Sequence, residues 1–276
     1  MYEPREDHVS VVLFERRGSV ALITLNRPEA RNAVNPELAV RLAQAWEEVK
    51  DDPAIRAAVV TGAGDKSFCA GADLARLIPL FTGARGPEDE WDEALRRDPV
   101  ITDRALLREF DPEKPIIAAV TGFCIAGGME MLQATDIRVA ADDSKFGLQE
   151  PKWGLFPLSG STVRLPRQIP YAVAMEILLT GDLINADRAF EIGLVNRIVP
   201  RSDVLATALG IAQTVAENGP VAVRAIRRSA RACIGLPEKD ALALERELGM
   251  PVFQTEDARE GPRAFKEKRK PKFVGK

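Results

Sequence analysis

The sequence contains a single histidine, His8, in 276 residues. A Ser-His-Asp triad, a multi-histidine zinc site and an H-E-x-x-H motif are thereby excluded unless that polar leader folds inward. Acid/base chemistry is left to carboxylates, Lys, Tyr or Cys. Cysteine is scarce as well: Cys69, Cys124 and Cys233 are odd in number, widely spaced and form no C-x-x-C. That pattern argues against a disulfide framework and a thiolate zinc site, and for a reducing cytoplasm; no metal is expected. Neither sign of charge dominates, with 38 Lys plus Arg against 41 Asp plus Glu and a net charge of -3. With only 6% aromatic residues to stack bases, a nucleic-acid partner is not expected. Met1 to Asp7 is charged, and no apolar run approaches the ~18 residues of a membrane span, so neither a membrane partner nor a targeting segment is expected.

What is present is 46% hydrophobic composition, enough for a sizeable core, in a length that at roughly 150 residues per domain allows one large domain or two small ones. Val9 to Phe14 and Ser19 to Leu25 are β-branched runs separated by Glu15-Arg16-Arg17-Gly18, a turn of hairpin length. Asn35 is placed to cap a helix with Pro36 at its first position, and Leu38, Leu42, Ala45, Trp46 and Val49 then share one face until Asp51-Asp52-Pro53. Ile55 to Val60, Ile116 to Val120 and Ile137 to Ala140 read as short buried strands. From Pro170 the periodicity is helical, near 170 to 180, 186 to 192, 203 to 217, 220 to 233 and 237 to 248. Between Leu74 and Lys114 lies a stretch rich in Pro, Gly and charge, with helical pieces near 88 to 97 and 101 to 110. It reads as a mobile cover over a site, or as a surface excursion.

Gly62-x-Gly64 imitates the start of a dinucleotide fingerprint, but Ser67 occupies the third glycine position, and no phosphate-loop motif occurs. Two other stretches are more informative. In Phe68-Cys69-Ala70-Gly71-Ala72-Asp73, small residues after a turn leave amide donors unobstructed. In Ile116 to Glu130, a strand and the turn Ala126-Gly127-Gly128 run into a helix start whose free amides favour an anion. Two such turns aimed at one oxygen suit a developing enolate or tetrahedral oxyanion. Glu130 lies one helical turn beyond the second, and Glu150 follows an expected sharp turn at Lys145-Phe146-Gly147. Without a histidine, this pair can divide general acid and base duties if burial or mutual repulsion raises at least one pKa. The basic tail, Lys266, Lys268, Arg269, Lys270, Lys272 and Lys276, and the stripe Arg224, Arg227, Arg228 and Arg231 read as phosphate contacts or plain solvated surface.

Taken together, Asn26-Arg27-Pro28-x-Ala30-Arg31-Asn32-Ala33, Phe68 to Asp73, Val120 to Asp136 and Phe146-Gly147-x-x-Glu150-x-x-x-Gly154 resemble the enoyl-CoA hydratase/isomerase (crotonase) superfamily from Val9 to Phe273. The resemblance implies an α/β spiral of ββα units over residues 1 to 200 and a helical trimerisation region over 201 to 276, in a trimer or a dimer of trimers. It implies an oxyanion hole from the amides of Ala72 and Gly127, and catalytic glutamates at Glu130 and Glu150. Coenzyme A contacts are implied along Arg31 and Ala33, along Ala70 to Ala75 with Asp73 and Leu74, and at Phe265 and Lys268, a neighbouring subunit often supplying the last pair. No cofactor is expected, coenzyme A being part of an acyl-CoA thioester substrate. The implied reaction is syn hydration of a trans-2-enoyl-CoA; the alternatives are isomerisation or other enolate chemistry, or a non-catalytic acyl-CoA or RNA-binding homologue. Leu158, where the family commonly has glycine near the catalytic water, is the departure that bears on hydration.

Overall fold

A computed structural model describes residues 10–276; His8 and Val9 lie outside the described residues. In chain order the strands are β1 (Val12–Arg17), β2 (Val20–Leu25), β3 (Ala57–Gly62), β4 (Ser67–Cys69), β5 (Ile116–Val120), β6 (Phe123–Ile125), β7 (Ile137–Ala141), β8 (Lys145–Gly147), β9 (Ile184–Asn185) and β10 (Arg197–Val199). The helices are α1 (Pro36–Asp51), α2 (Leu77–Phe81), α3 (Glu90–Arg97), α4 (Ile101–Ala105), α5 (Gly127–Ala134), α6 (Ser161–Gln168), α7 (Tyr171–Thr180), α8 (Ala186–Glu191), α9 (Val204–Glu217), α10 (Pro220–Ala232), α11 (Glu238–Gly249) and α12 (Glu256–Lys266).

The strands form a six-stranded sheet of order β1-β2-β3-β5-β7-β10 and a four-stranded sheet of order β4-β6-β8-β9. The chain passes from β3 to β4, from β5 to β6 and from β7 to β8, leaving the first sheet for the second each time. This is the spiral of repeated ββα units that the resemblance implies. Because β4, β6 and β8 pair in parallel, the segments that leave their C-terminal ends lie side by side at about the ~4.8 Å strand spacing. Those segments are the Ala70-Gly71-Ala72 turn, the Ala126-Gly127 turn and the approach to Glu150.

Both faces of the larger sheet are covered at its central strands, so β2, β3 and β5 are apolar nearly throughout. On one face, α1 buries Leu38, Leu42, Trp46 and Val49, and Asn35 caps it by accepting from the Leu38 amide at 2.9 Å. On the other, α9 presents Ala208, Ala212 and Ala216 at helical spacing to Val59, Ile117 and Val139, so this helix from beyond residue 200 packs directly on the sheet.

Several element boundaries differ from expectation. The hairpin turn is Gly18-Ser19, not Glu15 to Gly18, because Arg17 pairs with Val20. Glu15, Arg16 and Arg17 stay exposed on a charged edge strand, which blunts that edge. The helix expected over 101 to 110 ends at Ala105, and Leu107 turns to a φ of 56°. Helices α6 and α12 form despite an internal proline in each, Pro166 and Pro262, which masks them in the sequence pattern.

Candidate active site

The first turn is fixed from outside. Val34 donates to the Gly71 carbonyl at 2.8 Å and accepts from the Asp73 amide at 2.9 Å, leaving the Ala72 N–H between them unengaged. Gly71 has a φ of 86°, and a Cβ there would lie 2.5 Å from the Ala126 Cβ and 2.9 Å from the Gly127 nitrogen. Only glycine lets the two turns touch. The second turn is tied down by the Ala126 amide donating to the Gly147 carbonyl at 3.0 Å. Gly127, first residue of α5, has no intrahelical acceptor for its N–H. A Cβ placed on it would be 3.7 Å from the Ala72 nitrogen. Among the described residues, neither amide donates to any protein acceptor; Gly127 is buried and Ala72 half-buried, and N–H groups left unpaired in this way mark a place for a ligand oxygen. Ala126 holds a φ of 51° without being glycine, a conformation that costs about 1–3 kcal/mol and is typical of functional turns.

Glu130 lies one turn into α5 and is 4% exposed. Its Oε1 accepts from the Ser161 amide at 3.3 Å. Burial pushes its carboxyl up to about 8; the nearby Glu150 charge acts the same way, and the Ser161 and Ser159 amides oppose it. Glu150 is 8% exposed and opens a short 3-10 turn, Glu150–Trp153. Its Oε2 is buried without a partner, and burial raises its pKa as well. The sharp turn expected at Lys145-Phe146-Gly147 is instead strand β8, paired with β6 on one side and β9 on the other. Phe146 is fully buried there, which holds that segment extended and carries the chain on to Glu150.

A cavity of about 730 Å³ brings Ala72, Gly127, Glu130 and Glu150 together, with Arg31, Ala70 and Leu74 also on its wall. Ala33, Asp73, Ala75, Phe265 and Lys268 do not line it. The Asp73 carboxylate is engaged elsewhere: it accepts from Arg27 at 3.1 Å and 3.2 Å and caps the Ala75 and Arg76 amides. Phe265 is 87% exposed on α12, and Lys268 follows just beyond that helix. Leu158 lines the cavity beside Trp153 and Phe156, and is itself 63% exposed.

The residues missed in the sequence belong mainly to the segment between Leu74 and Lys114. Leu77, Ile78, Phe81 and Leu106 supply an apolar wall to the cavity. The segment is folded down by charge: Asp92, fully buried, accepts from both terminal nitrogens of Arg85 and from the Glu88 amide, and Arg76 lies against Asp89 and Asp92. The apolar spacing of α2 was readable, but Pro79 and Gly83 disguised it as loop. Burial pushes the Cys69 thiol up to about 11 and Cys124 well above its ordinary value, which disfavours the thiolate at both. Within the expected arginine stripe, Arg227 is not solvated surface; it is buried and pairs with Asp111 at 2.6 Å and Asp136 at 2.8 Å.

Two donors converging on one point beside two acids of raised pKa can hold a carbonyl oxygen as it gains charge while moving protons at the adjacent carbons. Comparison with known proteins identifies the family. The model of the enoyl-CoA hydratase/isomerase family matches residues 15–276. The chain is 46% identical over 261 residues to the enoyl-CoA hydratase EchA19 of Mycobacterium tuberculosis, covering 95% of each. It is 37% identical over 265 residues to the crotonyl-CoA hydratase of Syntrophomonas wolfei, covering 96% of this chain and 98% of that one. Among solved structures, an enoyl-CoA hydratase from Mycobacterium tuberculosis superposes with a TM-score of 0.85 at 38% identity, over 97% of this chain and 100% of that one. One from Bacillus anthracis gives 0.86 at 33% identity, over 96% and 100%.

Proposed function

The chain belongs to the enoyl-CoA hydratase/isomerase family and is an enzyme of the hydratase kind, and from that premise we propose that it adds water across the double bond of a trans-2-enoyl-CoA through a thioester enolate. In this reading the Ala72 and Gly127 amides hold the thioester oxygen. One glutamate of the pair Glu130 and Glu150 takes a proton from water as its oxygen bonds to C3, and the other delivers a proton to C2. The electron pair of the double bond passes onto the thioester oxygen and returns to form the C2–H bond, so hydroxyl and hydrogen are both accounted for. Two like charges in one buried site share a proton more readily than both ionise, which supplies the pair with one acid and one base at neutral pH.

The observation that carries the proposal is the convergence of two unbonded amides and two buried carboxylates on one cavity. Coenzyme A is held as part of the substrate, and the apolar faces of Ile226, Leu242 and Phe253 on the C-terminal segment fit a homo-oligomer. Among the described residues no helix is long and apolar enough to cross a membrane.

The test is formation of 3-hydroxyacyl-CoA from crotonyl-CoA and longer trans-2-enoyl-CoAs. Replacing a general acid or base typically costs about 10²–10⁴ in rate, so Glu130→Gln and Glu150→Gln should each lose on that order. Unchanged hydration in both variants contradicts the assignment. Deuterium exchange at C2 without net hydration points to isomerase-type chemistry in the same site.

A further inference from the structure

A second cavity, of about 470 Å³, opens where the end of α5, the start of β7, α6 and α10 meet, and shares no lining residue with the substrate cavity. Its charged lining is Arg138, Arg164, Arg167 and Arg231 against the single carboxylate of Asp136. That carboxylate is committed: Oδ2 accepts from Arg227 at 2.8 Å and from the Ile116 amide at 2.8 Å, whereas Arg231 stands 3.9 Å from Oδ1.

Counter-charge is thin: Asp136 and Glu130 act on Arg138 and Arg164 only from beyond ion-pair distance, and Arg231 stands 3.9 Å from Asp136. Among the described residues Arg138, Arg164 and Arg167 form no salt bridge. Arg138 is 7% exposed, and its partners are the Leu194, Gln133 and Thr135 carbonyls and the Gln168 amide oxygen; its Nε is buried with no acceptor at all. Arg164 donates only to backbone carbonyls, at Ser159, Leu107 and Arg108. Burial lowers the pKa of Arg138 to about 10, and burial together with Arg231 and Arg108 lowers that of Arg164. Buried cations are normally paired, because carbonyl dipoles do not repay the loss of hydration that a full negative charge would.

We propose that this cavity is a binding site for a dianionic oxyanion, a phosphate or phosphoryl group, held by the unpartnered Nε of Arg138 and by the guanidiniums of Arg164, Arg167 and Arg231. Forked guanidinium donors match the tetrahedral oxygens of phosphate, often bidentately. Several positive charges around one space favour a dianion over a simple halide. The site stands independently of the hydratase assignment.

The experiment titrates the full-length protein with inorganic phosphate at constant ionic strength, against sodium chloride, following thermal midpoint and heat of binding. A ligand that binds only the folded state raises the midpoint progressively with concentration, and calorimetry should show one saturable site per protomer. The variants are Arg167→Gln with Arg231→Gln, which thin the cluster at its rim, and Arg31→Gln, which removes a cation on the substrate cavity. The double variant is expected to be more stable than the parent without phosphate, because like-charge repulsion is relieved, and to bind phosphate at least about tenfold more weakly, a change equal to ~1.4 kcal/mol. Arg31→Gln should keep the full response. An equal response in the double variant, loss in Arg31→Gln, or a linear response with no saturation means an adventitious ion only and overturns the proposal.

Discussion

At the scale of single residues, the site holds two features that oppose stability. Glu130 favours its neutral form in the folded chain, with its pKa pushed up to about 8 from an ordinary 4.5. A raised acid binds its proton more tightly folded than unfolded. Its stabilising contribution is therefore fully present below about pH 4.5 and is lost as pH rises through about 8. Glu130→Gln, neutral at every pH, is expected to melt higher than the parent at pH 8.5, and the gap should close toward pH 5. A pH series of thermal midpoints reads this directly; parallel curves would show that Glu130 is not held neutral. Ala126 is the second such feature, with its φ of 51° at the turn that presents Gly127. Relief of that strain in Ala126→Gly should add about 1 kcal/mol to unfolding stability by denaturant titration, with activity retained because the donating amide belongs to Gly127.

At the scale of elements, the site is the product of where three short parallel strands end, and the contact between Gly71 and Ala126 sets its width. Gly71→Ala is expected to force the two turns apart. Kinetics should show kcat falling about 10²-fold or more, the cost of one lost oxyanion donor, with a smaller change in KM. The segment between Leu74 and Lys114 joins the main core through Leu77, Leu95 and Leu106 and is pinned by Asp92. In Asp92→Asn, Arg85 loses its ionised partner, and breaking a buried pair costs about 3–5 kcal/mol. Because Leu77, Ile78 and Phe81 sit on that segment, KM should rise more for long enoyl-CoAs than for crotonyl-CoA. An equal change across chain lengths would separate the segment from acyl recognition. These elements were unequally legible. The turns at Ala70 to Ala72 and Ala126 to Gly128 stood out because runs of small residues beside a strand have few other uses, and α1 because its cap, first proline and apolar face agree. Strand β8 did not, since Lys145-Phe146-Gly147 is too short to show alternation and is extended only because β6 and β9 flank it. Likewise nothing local to Asp73 shows that Arg27 claims its carboxylate, because the two lie far apart in the chain.

At the scale of the whole molecule, one sheet separates two cores, and the active site belongs to the side that holds the second sheet. The α9 side depends on small residues for close approach to that sheet: Ala212→Leu is expected to overpack it and lower unfolding stability by about 1–3 kcal/mol. Activity of the folded fraction should stay near that of the parent, because α9 contributes nothing to the substrate cavity. The proposed reaction therefore rests on the spiral itself, which delivers two amides and two acids to a single space from widely separated stretches of chain. The most direct measurement is a crystal structure with a bound, unreactive acyl-CoA analogue. The thioester oxygen should lie about 2.7–3.1 Å from both the Ala72 and Gly127 nitrogens, with the Glu130 and Glu150 carboxylates facing C2 and C3 of the acyl chain. A thioester bound away from those amides, or with either carboxylate turned from the acyl chain, would contradict the account.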